Sequence, residues 1–234
     1  MRSILTVRPS YMPKYVPTAG DGCVLWLPGQ DDPQSLVIRD RSGKGNHGTI
    51  TGASWTRLGS GLWVNSFDGT DDKIAIPATS SMRIVGDQMS AVFWANWISV
   101  TIDKGIIGRD STAGVGLEVL TGGVDGRLQI RTTTSNPAVY TSEDAIPTVN
   151  TWYCYGVVYN GTDVRIYVNT VLQADIDAQT GNLTDTASAY WLGSYYSADY
   201  SANVKLGLVR MFNRALSTTE IAGIYQSERH LLGV

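Results

Sequence analysis

Acidic residues are the side chains with which this chain would hydrolyse a glycosidic bond. Only four are glutamates: Glu118, Glu143, Glu220 and Glu228. Glycoside hydrolysis needs two carboxylates about 5 to 10 Å apart. However, Glu118 stands alone in its predicted strand, and the adjacent Glu143 and Asp144 face opposite ways. The sequence therefore predicts a non-enzymatic domain, with a glycoside hydrolase as a lesser alternative.

The two histidines, His47 and His230, are the only side chains of the usual neutral-pH base type. A polysaccharide lyase or a Ser/His hydrolase needs such a base. His47 lies in a Gly/Asn turn and His230 is expected in the C-terminal tail, where turn geometry or solvent accounts for them. A lyase is therefore also a lesser alternative.

Three tyrosines share one predicted loop between two strands, residues 194–201. Flat rings stack on sugar faces, and neighbouring carboxylates orient sugar hydroxyls. We therefore predict a ligand-binding surface made of Tyr195, Tyr196, Tyr200 and Asp199. The alternative is that one or more of the rings fold back on the core as a lid.

Three aspartates, Asp68, Asp71 and Asp72, lie in a predicted turn between two strands. Carboxylates combined with backbone carbonyls are the ligands of hard cations such as calcium. The sequence predicts no cofactor, and these aspartates are the candidates should calcium bind.

Two cysteines, Cys23 and Cys154, are separated by 131 residues, with no CxxC motif. This spacing gives no basis for a metal or redox site. We expect two buried free thiols, with a disulfide between them as the alternative.

Composition excludes several classes of protein. The 234 residues are 43% hydrophobic and 17% charged, with a net charge of −3. Disorder and a membrane-spanning segment are excluded, and nucleic acid is not an expected partner because there is no basic block. The apolar stretch near Met1 is too short for a signal peptide, so we expect a protein made in the cytoplasm.

Residues 1–20 have a pattern of their own, with prolines at every fourth position: Pro9, Pro13 and Pro17, and Tyr11 and Tyr15 between them. Proline at this spacing favours an extended segment. We predict an assembly arm over residues 1–20, followed by one folded domain over 21–234. The arm contacts either a neighbouring chain or its own domain.

The folded part consists mainly of short strands and tight turns. We expect roughly a dozen strands, among them a central strand within residues 90–100 and a hairpin that turns at Asn160-Gly161 with a type I′ geometry. One helix is predicted to start with the Ser217/Glu220 capping box and to end near Ser227.

Six motifs in the right order resemble the laminin G-like jelly-roll family, which has a concanavalin A-like fold. The match spans about residues 22 to 226. The motifs are VLWLP at residue 24, DRSGKGNHG at 40, FDGTDDKI at 67, WY to YNGT at 152–162, VRIYVN at 164 and VRMFNRALS at 209.

The resemblance implies an all-β sandwich of two antiparallel sheets closed by a C-terminal helix. It also implies a calcium site near an acidic position late in the domain. This chain has Gly207 and Leu208 there, and neither offers a side-chain oxygen.

Two classes of function follow. The first is a binding or structural module on a larger assembly, such as a virion surface decoration or tail adhesion protein. Such a module would be anchored by the arm to capsid or tail proteins or to copies of itself, and would have glycans as ligands. The second is a free-standing glycan-binding lectin.

Overall fold

A computed structural model describes residues 21–29, 33–109, 116–122, 125–133, 139–184 and 187–234. The predicted arm, including Pro9, Tyr11, Pro13, Tyr15 and Pro17, lies outside the described residues. Within the described stretches, no helix combines the length and the apolar character needed to cross a membrane.

Strands dominate the described part of the chain, as expected. The α-helix α1 spans Thr218–Leu232, and a 3-10 helix spans Ala198–Tyr200. The described strands are more numerous than the predicted dozen, because several have only two residues and leave no alternation in the sequence. They are β1 (Cys23–Leu27), β2 (Val37–Ile38), β3 (Gly48–Thr51), β4 (Ser54–Arg57), β5 (Trp63–Asp68), β6 (Lys73–Ile76), β7 (Met89–Trp97), β8 (Gly105–Arg109), β9 (Gly116–Thr121), β10 (Leu128–Thr133), β11 (Val139–Ser142), β12 (Trp152–Tyr159), β13 (Asp163–Val168), β14 (Val171–Leu172), β15 (Asp177–Ala178), β16 (Tyr190–Leu192) and β17 (Asn203–Phe212).

The strands form two sheets. The first sheet has the order β14-β13-β12-β7-β17-β5-β4, with β1 paired to β17 and β15 paired to β13. The second sheet has the order β11-β10-β9-β8-β16-β6-β3-β2. The strands within each sheet pair antiparallel. The predicted all-β sandwich with one C-terminal helix is confirmed.

Strand β7 lies at the centre of the first sheet, and all nine of its residues are buried. Phe93 and Trp97 belong to the core between the two sheets. Val92 and Trp94 belong to a second apolar layer, which includes Ile221 and Ile224 of α1. The apolar residues on both faces of this strand, which the sequence predicts, are therefore explained by two separate layers.

The predicted start of the helix is confirmed and its predicted end is wrong. Ser217 and Glu220 form the capping box. The helix continues past Ser227 to Leu232, because its last two leucines are buried and Gly233 ends it in the left-handed region, with φ +76°. Glycine adopts this conformation without the steric cost that a Cβ brings.

An ion pair fixes the helix to the first sheet. Arg210 of β17 and Glu228 of α1 are both fully buried, and Nη2 lies 2.5 Å from Oε1. Trp94 Nε1 donates a hydrogen bond of 2.9 Å to the other carboxylate oxygen. The two opposite charges compensate each other within an apolar layer, where an isolated charge would be costly.

The predicted hairpin joins β12 and β13, but the type I′ turn lies elsewhere. In the connection between β12 and β13, Gly161 has a positive φ of +89° and Asn160 does not. The side chain of Asn160 accepts a hydrogen bond from the backbone N–H of Thr162 through Oδ1. The next connection, between β13 and β14, has positive φ at both Asn169 and Thr170. Two consecutive positive φ angles are the requirement of a type I′ turn.

The long strand β17 pairs with two shorter strands, β5 and β1, along the same edge. Its first half pairs with β5, beginning with Asn203 opposite Asp68, and its last residues pair with β1, ending with Phe212 opposite Cys23. The halves are separated by an irregularity in the pairing with β7, where Leu208 has φ +54°. A β-bulge of this kind bends the strand and increases its local twist.

Candidate functional site

The loop of residues 194–201 packs on the second sheet, on the face turned away from the core. Its backbone reaches strand β8, where the N–H of Tyr196 donates to the carbonyl of Arg109 at 3.1 Å. A Cβ added to Gly108 would lie 2.1 Å from the Cβ of Tyr195, and one added to Gly105 would lie 2.5 Å from the loop backbone. The two glycines therefore allow this close approach.

The three tyrosines of this loop form one group of rings, which we call the tyrosine cluster. The centroids of Tyr195 and Tyr200 are 4.7 Å apart, and those of Tyr196 and Tyr200 are 5.9 Å apart. Tyr195 is 8% exposed, Tyr200 is half-buried and Tyr196 is 42% exposed. Tyr195 thus follows the lid alternative, whereas Tyr196 and the exposed Asp199 are open to a ligand.

Tyr196 has an unusual backbone conformation, with φ +60°. The left-handed region is uncommon for a bulky residue and costs about 1 kcal/mol or more. Here it is held by the hydrogen bond to Arg109 and by the N–H of Ser197, which donates to the carbonyl of Tyr195 at 2.6 Å. The loop backbone therefore fixes the direction in which the Tyr196 side chain leaves the chain.

Charged residues surround the tyrosine cluster. Arg131 lies 5.5 Å from the Tyr195 ring and donates through Nε and Nη2 to the buried carboxylate of Glu118. Lys104 Nζ donates to the backbone carbonyl of Asp199 at 2.5 Å. Burial raises the pKa of Tyr195 to about 12, Arg131 opposes that rise, and Asp103 adds to it.

A tryptophan lies beside the cluster on the same face of the sheet. Trp191 of β16 pairs with Gly108, the residue on which Tyr195 rests, and with Ala75 of β6. Trp191 is buried, 8% exposed, on the outer face of this sheet, with Lys73 Nζ 3.6 Å from the centroid of its ring. Alternation along β16 explains this, because its neighbours Tyr190 and Leu192 fill the core.

A second feature is a polar cleft of about 460 Å³ at the turn between β5 and β6. Among the described residues, Asp68, Asp71 and Asp72 are the only group of three possible metal ligands, with oxygens within 4.8 Å of one another. Asp72 Oδ2 accepts the N–H of Asp68 at 2.8 Å, and Asp68 Oδ1 accepts the N–H of Thr70 at 2.7 Å. Burial raises the pKa of Asp72.

The residue opposite this turn is Asn203, which pairs with Asp68. Gly207 instead pairs with Trp94, in the middle of the first sheet. Three carboxylates and an amide suit a hard cation chemically, but two of these carboxylates already hold the turn together. The turn geometry therefore accounts for Asp68 and Asp72 without a metal.

Glu143 is a buried carboxyl inside the sandwich, 3% exposed. It accepts the N–H of Leu128 at 2.7 Å and a hydrogen bond from Tyr155, whose hydroxyl accepts Trp97 Nε1 at 3.3 Å. Burial raises the pKa of Glu143 to about 7, and these hydrogen bonds oppose the rise.

The histidines and cysteines have structural surroundings. His47 Nδ1 accepts the N–H of Asp40 at 3.0 Å, as expected for a turn residue. His230 lies in the last turn of α1 rather than in a tail. Cys23 and Cys154 are buried and free, as predicted, and burial raises both thiol pKa values.

Sequence analysis missed the charged neighbours of the tyrosine cluster, Asp103, Lys104 and Arg131. Asp103 and Lys104 directly precede β8 and Arg131 lies in β10, so no spacing in the sequence connects them with residues 194–201. The available signal was Gly105 and Gly108 within one strand, because glycines in a strand mark the approach of another backbone.

Comparison with known proteins identifies the fold family. A laminin G-type family profile, described as the Concanavalin A-like lectin/glucanases superfamily, matches residues 68–222, more than half of the chain. No curated protein matches the sequence.

Solved structures show the same fold at low sequence identity. Domain 4 of a GH43 extracellular arabinanase from Geobacillus stearothermophilus, in complex with arabinotriose, has a TM-score of 0.70 and 16% identity over 87% of this chain and 98% of its own. The binding domain of Paraclostridial Mosquitocidal Protein 1 has a TM-score of 0.72 and 16% identity over 89% of this chain and 53% of its own.

The binding domain of botulinum neurotoxin serotype G has a TM-score of 0.64 and 15% identity over 87% of this chain and 50% of its own. This chain therefore spans about half the length of the two toxin domains and nearly all of the arabinanase domain. At these identities the likeness shows the fold alone. Together with the family profile, it shows that the chain belongs to the concanavalin A-like lectin/glucanase superfamily.

Proposed function

We propose that this domain is a non-enzymatic glycan-binding module whose binding surface is formed by Tyr196, Tyr200 and Asp199. The observation that carries the proposal is the exposed ring of Tyr196, which lies 5.9 Å from the Tyr200 ring on a backbone with φ +60°. Such a ring stacks on the apolar face of a sugar, and a carboxylate accepts hydrogen bonds from sugar hydroxyls. The complex of the arabinanase domain with arabinotriose supports this choice of ligand class.

The surroundings of the glutamates support a non-catalytic role. Glu118 is buried and bound by Arg131, and Glu143 is buried and bound by the N–H of Leu128. The remaining two, Glu220 and Glu228, form the helix cap and the ion pair beneath the helix. Each carboxylate thus has a role in holding the fold. A glycoside hydrolase or polysaccharide lyase remains the lesser alternative.

The test replaces Tyr196 with asparagine, which tolerates a left-handed backbone but offers no ring. Wild type and Tyr196→Asn are compared on a glycan array containing arabino-, galacto-, gluco- and manno-oligosaccharides, followed by titration calorimetry on any glycan bound. We expect an unchanged melting temperature and at least a tenfold loss of affinity.

A matched control is Val171→Asn, which removes an exposed apolar side chain on the edge strand β14. It should retain binding. Equal binding by Tyr196→Asn and wild type would contradict the proposed site. Sugar products released from the same panel by the wild-type protein would instead point to an enzyme.

We also propose that residues 1–20 anchor the module on a larger assembly, for which a virion surface or tail is the leading example. The support is the sequence itself, since proline at every fourth position favours an extended backbone, and a preformed extended backbone lowers the entropy lost on docking. The alternative is a free-standing lectin. Loss of assembly when residues 1–18 are deleted would distinguish the two.

A further inference from the structure

We propose that the tyrosine cluster selects uncharged glycans and discriminates against glycans that carry carboxylate or sulfate groups. This inference rests on the proposed function and specifies the chemical class of its ligand. It follows from the partners of the cations and the solvent exposure of the anions around the ring of Tyr196.

The cations around the cluster already have partners. Arg131 donates to Glu118 through both Nε and Nη2, so its guanidinium fork is occupied by a carboxylate. Lys104 Nζ donates to the backbone carbonyl of Asp199, and Lys73 Nζ lies over the Trp191 ring. Bidentate recognition of a carboxylate or sulfate relies on an open guanidinium fork, which Arg131 does not offer. Lys104 and Lys73 keep further N–H donors, but one is held at the loop backbone and the other over the Trp191 ring.

The two carboxylates beside the tyrosine cluster are exposed to solvent. Asp103 and Asp199 are exposed, and within the described stretches neither carboxylate forms a salt bridge. The Lys104 bond goes to the Asp199 carbonyl and leaves the Asp199 carboxylate available. Carboxylates accept hydrogen bonds from the hydroxyls of a neutral sugar, but repel an approaching carboxylate or sulfate.

The test uses matched pairs of soluble glycans: lactose with 3′-sialyllactose, galactotriose with trigalacturonate, and N-acetyllactosamine with its 6-sulfated form. The affinity of each member for the full chain is measured at about 20 mM and about 500 mM NaCl. We expect the neutral member to bind roughly fivefold or more tightly than its acidic partner at low salt, with a smaller ratio at high salt because salt screens exposed charges.

The variant Asp103→Asn/Asp199→Asn should bring the ratio close to one at low salt. Asparagine is compatible with the φ of +55° at Asp103, so the fold should be kept. The control is Asp87→Asn, an exposed aspartate just before β7 of the first sheet, because the tyrosine cluster packs on β8 of the second sheet. It should leave the ratio unchanged.

Two outcomes overturn different claims. If acidic members bind as tightly as neutral ones or more tightly, and Tyr196→Asn abolishes that binding, the charge selection is wrong and glycan binding stands. If no member of any pair binds, and the array is also empty, the proposed function fails and the selection fails with it.

Discussion

The buried carboxyl of Glu143 couples the stability of this domain to pH. Its pKa is raised by burial to about 7, from an ordinary value of 4.5. The folded state therefore holds a proton that the unfolded state loses between these two values. The contribution to stability is complete below about pH 4.5, and it is lost as the pH rises through about 7. The free energy of unfolding therefore falls as the pH rises, as for any group whose pKa is higher in the folded than in the unfolded state.

We expect Glu143→Gln to remove this pH dependence. Urea unfolding at pH 5 to 8 should show wild type losing, relative to the variant, up to roughly 3 kcal/mol. The difference between the two proteins cancels every contribution that they share. Parallel stability curves for the two proteins over this range would show that Glu143 ionises freely in the folded state.

Gly108 determines how closely the tyrosine loop approaches the second sheet. In Gly108→Ala the new Cβ would lie 2.1 Å from that of Tyr195, so the loop must move. We expect a loss of about 2 kcal/mol in the free energy of unfolding and weaker glycan binding.

Gly223→Ala is the matched control, because this exposed glycine of α1 has no atom within 4 Å of an added Cβ. It should stabilise the protein by up to about 1 kcal/mol, since alanine favours a helix. Denaturant unfolding of both variants checks the pair. If Gly108→Ala proves as well tolerated as Gly223→Ala, Tyr195 does not rest on β8.

At the scale of the element, α1 depends on its buried ion pair. Glu228→Leu would leave Arg210 charged and unpaired in an apolar layer, at a cost of about 4 kcal/mol. The double variant Arg210→Met/Glu228→Leu removes both charges and should recover most of that loss. Urea unfolding of the three proteins measures the recovery. A double variant no more stable than the single one would mean that Glu228 acts through its bond to Trp94 instead.

The turn between β5 and β6 should bind calcium weakly or not at all. Asp68 and Asp72 already accept backbone N–H groups of the turn, and a cation would have to compete for those oxygens. We expect the melting temperature to change by less than about 1 °C between millimolar calcium and chelator, because stabilisation by a ligand requires occupancy. A rise of several degrees would identify a calcium site here.

Some elements could be predicted from the sequence and others could not, for physical reasons. The apolar run of β7 and the Ser217 capping box are local patterns that specify their own structure. The type I′ turn was misplaced, because Asn160 uses its side chain to bond Thr162 and so widens the loop. The roles of Tyr195 and Tyr196 depend on glycines of another strand, which no local pattern reveals.

At the scale of the whole molecule, deletion of residues 1–18 should leave the sandwich folded. The first strand begins only at Cys23, and its pairing with β17 does not involve the deleted segment. We expect an unchanged melting temperature, together with loss of the oligomer or of occupancy on the assembly. Light scattering of the truncated protein checks the mass in solution. An unchanged mass and occupancy would favour the free-standing lectin.

The length of β17 separates two ends of the domain. The tyrosine loop comes just before the first residue of this strand, Asn203, and Phe212 at its other end pairs with Cys23, close to where residues 1–20 join the fold. A strand of ten residues measures about 30 Å. Asp21, the first described residue of its stretch, and Asn203, just after the tyrosine loop, therefore lie near opposite ends of β17. A carrier held by residues 1–20, as proposed above, would leave the Asn203 end unobstructed. A pair of spectroscopic labels at Asp21 and Asp199 should report a separation on the order of 30 Å.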